Sequence, residues 1–242
     1  MAGRSGDPKD TTYDRPMRLA HMSWPDVPRD QLTVAVPVGS VEQHGPHLPL
    51  DTDTRIASAV ARALSGVVCA PAIEYGASGE HEGFAGTISL GSGALEMLLV
   101  EYGRSACRWA RRVVFVNGHG GNGPALVKAV ELLRYEGRDV AWFPCAVPGA
   151  DAHAGHTETS LLLHLSPEVV AMDRARTGNT EPVADLMPRL RAGGMLAATA
   201  NGVLGDPVGA SAEEGRRLFD GLVERARAAV SAWAPRGDGR LL

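Results

Sequence analysis

The sequence predicts an α/β protein with a mainly parallel central sheet and helices on both faces. Three observations carry this prediction. Apolar, β-branched runs such as Thr33-Val-Ala-Val-Pro-Val38 lack the alternation of a half-solvated strand, so both faces are expected to be covered. Strand, loop and helix then repeat four times without a long linker. Finally, 242 residues suit one α/β domain and do not require two.

Residues 1–16 are polar and carry almost nothing to bury, so a flexible tail is expected there, ahead of one domain over 17–234. Residues 235–242 are set apart as a C-terminal tail. Leu19, Met22, Trp24 and Val27, broken by Pro25 and Pro28, predict a short packed lead-in rather than a long helix. The first strand is Thr33–Val38. A helix follows from Thr54 to Leu64, ended by Gly66, and Val67–Ala70 is the second strand. Ser92 is expected to cap a helix that runs to Ala110. The third strand, Arg112–Val116, turns at Asn117-Gly-His-Gly-Gly-Asn122 into a helix with Pro124 in its first turn, ending near Gly137. Asp139–Phe143 is the fourth strand. Ser211-Ala-Glu-Glu214 reads as a capping box for a closing helix with a stripe from Phe219 to Trp233.

Composition bounds the function. Hydrophobic residues make up 44% and charged residues 21%, and the net charge of −4 gives no electrostatic reason to expect nucleic acid or an anionic membrane as partner. Cys69, Cys107 and Cys145 match neither a disulfide framework nor a CxxC zinc site, so buried thiols in a reducing compartment are expected. The N-terminus lacks a signal-peptide core, and no apolar run approaches the ~20 residues of a membrane span. A cytoplasmic protein is the expectation.

The chemistry concentrates in Gly39-Ser-Val-Glu-Gln-His-Gly-Pro-His-Leu-Pro-Leu-Asp-Thr-Asp53, directly after the first strand. In a doubly wound sheet the strand-end loops open at one edge and converge on one crevice. Glu42 and His44 project to the same side of an extended chain, and Asp53 can return to bridge two cations. His119 arrives after the third strand and Glu158 after the fourth. Two histidines and three carboxylates suit Zn²⁺, Fe²⁺ or Mn²⁺. Asp51 is a weaker candidate. His47 either orients a ligand or satisfies the loop, and Glu158, His153 and His156 cannot all be ligands. Part of that last motif, around Thr157, reads equally as a helix cap.

Val36-Pro-Val-Gly-Ser-Val-Glu-Gln-His-Gly-Pro-His-Leu-Pro-Leu-Asp-Thr-Asp53 resembles the signature of the creatininase (creatinine amidohydrolase) family. Tyr75–His81 with Phe84–Thr87, Val116–Asn122, His153–Ser160 and Gly202–Pro207 agree in order, so the resemblance spans residues 19–233. It implies a three-layer α/β/α fold, a binuclear metal site and a homo-oligomer, often a hexamer. It assigns Glu42 and His119 to one metal, His44 and a glutamate to the other, and Asp53 to both. Creatininase proper takes that glutamate two residues beyond the histidine, where this chain has Gly121, and Glu158 is the replacement. His153 matches the family's catalytic histidine and would act as general acid. Asn117, Asn122 and the Gly120 and Gly121 N–H groups would position substrate or stabilise an oxyanion, or else merely shape the turn.

No tryptophan stands in Pro148–Ala152, where creatininase packs creatinine, which argues against that substrate. The likeness is greatest to a peptidase branch that cuts a modified short precursor peptide just before its C-terminal Val-Tyr-derived dipeptide. The alternatives are an amidohydrolase of creatinine or of a flavin-pathway formamide, and an inactive metal-binding scaffold.

Overall fold

A computed structural model describes residues 17–242. The expected tail, 1–16, lies outside the described residues. Five strands form one sheet: β1 (Met17–Arg18), β2 (Thr33–Val38), β3 (Val67–Cys69), β4 (Arg112–Asn117) and β5 (Val140–Pro144). Their order is β1-β3-β2-β4-β5 and every pairing is parallel. The chain moves outward from β2 to β3, then crosses back to β4 and β5. The reversal lies beside β2, and there the strand ends splay into a crevice.

The strand pattern explains the two cores. Ala35, Val114, Val116, Ala141 and Phe143 face a layer made by α1 (Thr52–Ala63), α4 (His156–Leu165) and α6 (Ala212–Ala232). Their neighbours Val34, Val36, Val113, Phe115 and Val140 face α2 (Gly91–Ala106) and α3 (Gly123–Tyr135). Alternate residues thus fill opposite cores, the period of two that a doubly covered strand hides from a hydropathy reading. The three-layer α/β/α fold follows. No helix among the described residues is long and apolar enough to cross a membrane.

Several boundaries differ from expectation. The lead-in contains the edge strand β1 and two 3-10 turns. Ser92 lies inside α2. The serine that serves this end is Ser89, whose hydroxyl accepts from Gly91 N–H at 3.1 Å and from Ser78 N–H at 3.0 Å. That helix stops at Ala106, four residues short of the predicted end. Half of the capping box forms: Ser211 Oγ accepts from Glu214 N–H at 3.2 Å, but Ser211 N–H donates to Ser160 Oγ at 3.3 Å and the Glu214 carboxylate turns to Arg217. The segment 235–242, expected as a tail, lies along β5: Leu241 N–H donates to Trp142 O at 2.8 Å, Trp142 N–H to Gly239 O at 3.0 Å, and Leu241 is buried.

The sequence reading passed over one helix. α5 (Val183–Ala198) carries Pro188 and a break at Gly193-Gly194, which together erase a clean helical period. It packs with Leu204 as a small separate core.

Candidate metal centre

All predicted ligands meet at the carboxyl edge of the sheet. The β2 loop supplies Glu42 and His44, both fully buried. Asp53 comes from the first turn of α1, where an anion is favoured. His119 follows β4, and Glu158 lies in the first turn of α4. Gly118 lets the β4 loop press on α1, since a Cβ there would lie 2.3 Å from Asp53 O.

Asp53 is the hub. Its Oδ1 lies 3.3 Å from His44 Nε2, its Oδ2 3.3 Å from His119 Nδ1, and Ser40 Oγ donates to Oδ2 at 2.6 Å. Glu42 approaches His119 Nδ1 at 3.2 Å with one oxygen and His81 Nε2 at 3.4 Å with the other. Glu158 Oε2 lies 3.9 Å from His44 Nε2 and accepts from Ala154 N–H at 2.6 Å. Donor atoms of Glu42, Asp53 and His119 lie within 4.8 Å of one another, as do those of His44, Asp53 and Glu158. Two triads therefore share Asp53, and a third grouping joins Glu42, His44 and His153.

The donor set fits cations. Both Glu42 oxygens are buried and take no hydrogen bond, although two imidazoles stand beside them. Leaving an ionised carboxylate so is costly unless a positive charge satisfies it. Imidazole and carboxylate donors at this density suit a divalent transition metal.

Electrostatics of the unliganded side chains agree. Burial pulls the His44 pKa down, but Asp53, then Glu158 and Glu42, reverse this and raise it to about 10. Burial alone would raise Asp53; His44 and His119 instead hold it well below its ordinary value. Burial lifts Glu158 to about 7, against the pull of His44. A cation at the hub would replace those protons.

His153 behaves differently. Burial, then His44 and His81, push its pKa well down, so the ring is neutral. Its Nε2–H donates to Gln43 O at 2.8 Å, which leaves Nδ1 on the side of Glu42 Oε1, 3.9 Å away. The Gln43 amide donates to Gly202 O at 3.1 Å and to His81 Nδ1 at 3.0 Å, tying the Gly202–Pro207 stretch to the site.

Other expectations change. Asn122 Nδ2 donates to Gly39 O at 2.9 Å and to Asn117 Oδ1 at 3.1 Å, and its Oδ1 accepts from Ala77 N–H at 2.8 Å. Asn117 Nδ2 donates to His119 O at 2.7 Å. The Asn122 amide is taken up by the loop backbones and by Asn117, whereas Asn117 also lines the smaller cleft. Gly120 and Gly121 line the cleft. A Cβ at Gly121 would lie 2.3 Å from His119 Nε2 and 2.7 Å from Glu80 Oε1, so the glutamate of creatininase proper has no room there. Asp51 pairs with Arg55 at 2.8 Å and accepts no cluster contact. Buried His47 meets Thr159 Oγ1 at 2.8 Å, which anchors the loop to α4, and burial together with His44 lowers its pKa to about 4. Asp151 caps α4 by accepting from His156 N–H and, at 3.1 Å, from Thr157 N–H.

Sequence reasoning missed Glu80 and His81, which stand on a 3-10 turn after β3. His81 faces Glu42, and Glu80 Oε1 lies 3.4 Å from His119 Nε2. Their signal was an acid–imidazole pair in a second glycine-rich loop at a strand end. From the cluster a cavity of about 580 Å³ opens toward α5, and another of about 280 Å³ opens along Gly118–Gly120 toward Ala146 and Val147.

The comparisons converge. The creatininase family profile, described as creatinine amidohydrolase, matches residues 20–230. The mycofactocin precursor peptide peptidase of Mycolicibacterium smegmatis is 59% identical over 217 residues, covering 86% of this chain and 88% of the relative. A crystal structure of creatinine amidohydrolase (creatininase) superposes with a TM-score of 0.78 at 25% identity, covering 92% of this chain and all of that one. A mutant creatininase of the Zn-Zn type gives 0.75 at 26% identity, covering 92% and 100%.

Proposed function

The chain belongs to the creatininase family, and from that membership we propose that it is a metal-dependent peptidase that cleaves the modified mycofactocin precursor peptide and releases its C-terminal Val-Tyr-derived core. The observation that carries the chemistry is the pair of ligand triads sharing Asp53. Glu42 and His119 would hold one divalent cation, His44 and Glu158 the other, with zinc or iron favoured and manganese accommodated by the same donors. When bound, such a pair would supply Lewis acidity that lowers the pKa of a water toward neutral pH and would polarise the scissile carbonyl.

The chain's own groups complete the reaction. His153, neutral and oriented by Gln43 O, accepts a proton at Nδ1 from the attacking water and hands it to the leaving nitrogen. The expected general acid thus begins its cycle as a base. Ser40 and Glu80 hold Asp53 and His119 in orientation. A cleft of about 580 Å³ exceeds what a small cyclic amide requires, which favours the peptide over creatinine. Three free cysteines fit a cytoplasmic setting. Exposed Trp24 beside Trp109 is surface that a homo-oligomer would cover.

The test is incubation of the metal-loaded protein with modified precursor peptide, with creatinine and with a formamide, followed by mass spectrometry. Cleavage just before the modified dipeptide is expected. Creatine formation without peptide cleavage would refute the proposal.

A further inference from the structure

The larger cleft has two unlike walls. One is the ligand cluster; the other is apolar and comes mainly from α5, with Val183, Met187, Leu190 and Met195 facing Leu204 across its end. Exposed Arg191 marks its rim. This helix is seated by close backbone approach. A Cβ at Gly194, which has φ +66°, would lie 2.6 Å from Glu80 O, and a Cβ at Gly83 would lie 2.3 Å from Leu196 Cδ1. Glycines inside a helix cost about 1 kcal/mol each relative to alanine. Here they let α5 bend and rest on the turn that carries Glu80 and His81. The wall is therefore registered against the catalytic cluster through that turn.

We infer that this wall is the pocket for the apolar side chains of the fragment that leaves with the scissile nitrogen. The inference rests on the peptidase reading above. Direction comes from His153, the group that hands a proton to that nitrogen. It lines the α5 cleft and not the smaller one, and its backbone pairs with Leu204 through N–H donation in both directions, at 3.1 and 2.9 Å. A leaving amine within reach of His153 carries its side chains onto Leu204 and α5. The acyl part then extends along Gly118–Gly120 into the smaller cleft. Two methionines in the wall suit a bulky, irregular group, since their unbranched thioethers repack around it. The Val-Tyr-derived dipeptide of the proposed substrate carries side chains of that kind, and the α5 wall is what receives them.

The test uses the full chain loaded with metal, modified precursor peptide as substrate, and Val183→Ser and Met187→Ser variants. Both positions are partly solvent-exposed, so folding is expected to survive. KM should rise about tenfold or more while kcat and bound metal stay near wild type. Inhibition by the isolated released fragment should weaken in parallel. Unchanged KM and unchanged fragment inhibition in both variants would overturn this assignment while leaving the peptidase reading intact. Absence of cleavage by the wild-type protein would overturn both.

Discussion

The two walls of the larger cleft are built on opposite plans. The ligand wall is buried, carries most of its charge inside hydrogen bonds or close ionic contacts, and hangs on strand ends. The α5 wall is half exposed, has no side-chain hydrogen bond to the cluster, and is attached through glycines. The difference separates two tasks. Positioning cations tolerates little displacement, so it is fixed by the sheet; fitting side chains tolerates more, so a bent helix suffices.

Substitutions can break or sharpen that contrast. Asp53→Asn is expected to have the largest effect: loss of turnover to background with loss of both cations by metal analysis, because each triad uses this carboxylate. His153→Ala should lower kcat by about 10²–10⁴-fold while metal content persists, which separates proton transfer from ligation. Retention of wild-type kcat would show that another group handles the proton. Glu80→Gln should weaken metal affinity by about 10–100-fold, since it braces His119 from its outer nitrogen. An unchanged metal-binding isotherm would remove it from the ligand wall.

The smallest expected effect is a pH dependence. Burial lowers the His44 pKa, but Asp53 and its neighbours raise it to about 10 overall. A raised value means that protonated His44 stabilises the metal-free fold fully below its ordinary 6.5, and that this stabilisation is lost as pH climbs through 10. Thermal unfolding of the stripped protein should therefore shift downward by several degrees between pH 7 and 10, and His44→Ala should flatten that slope. Metal loading near pH 7 should release protons, read by calorimetry in buffers of different ionisation enthalpy.

The ligand wall was legible in the sequence because its chemistry is local. Glu42 and His44 fall in one glycine- and proline-shaped loop that delivers Asp53 at the start of α1, and His119 and Glu158 follow apolar strands whose ends must converge. The layers were equally visible in unbroken runs such as Thr33–Val38. What escaped depends on distant partners. Asn122 looks available for substrate until the backbones of Gly39 and Ala77 arrive to occupy it. His81 gains meaning only when Glu42, nearly forty residues earlier, closes on it. The α5 helix hid because Pro188 and Gly193-Gly194 disrupt the period by which helices are recognised.

The seam between residues 235–242 and β5 bears on how the protein can be handled. With Leu241 sealed against the sheet, the carboxyl end acts as a stopper over an edge that would otherwise present free N–H and C=O groups to other chains. Removal of residues 235–242 would uncover that edge.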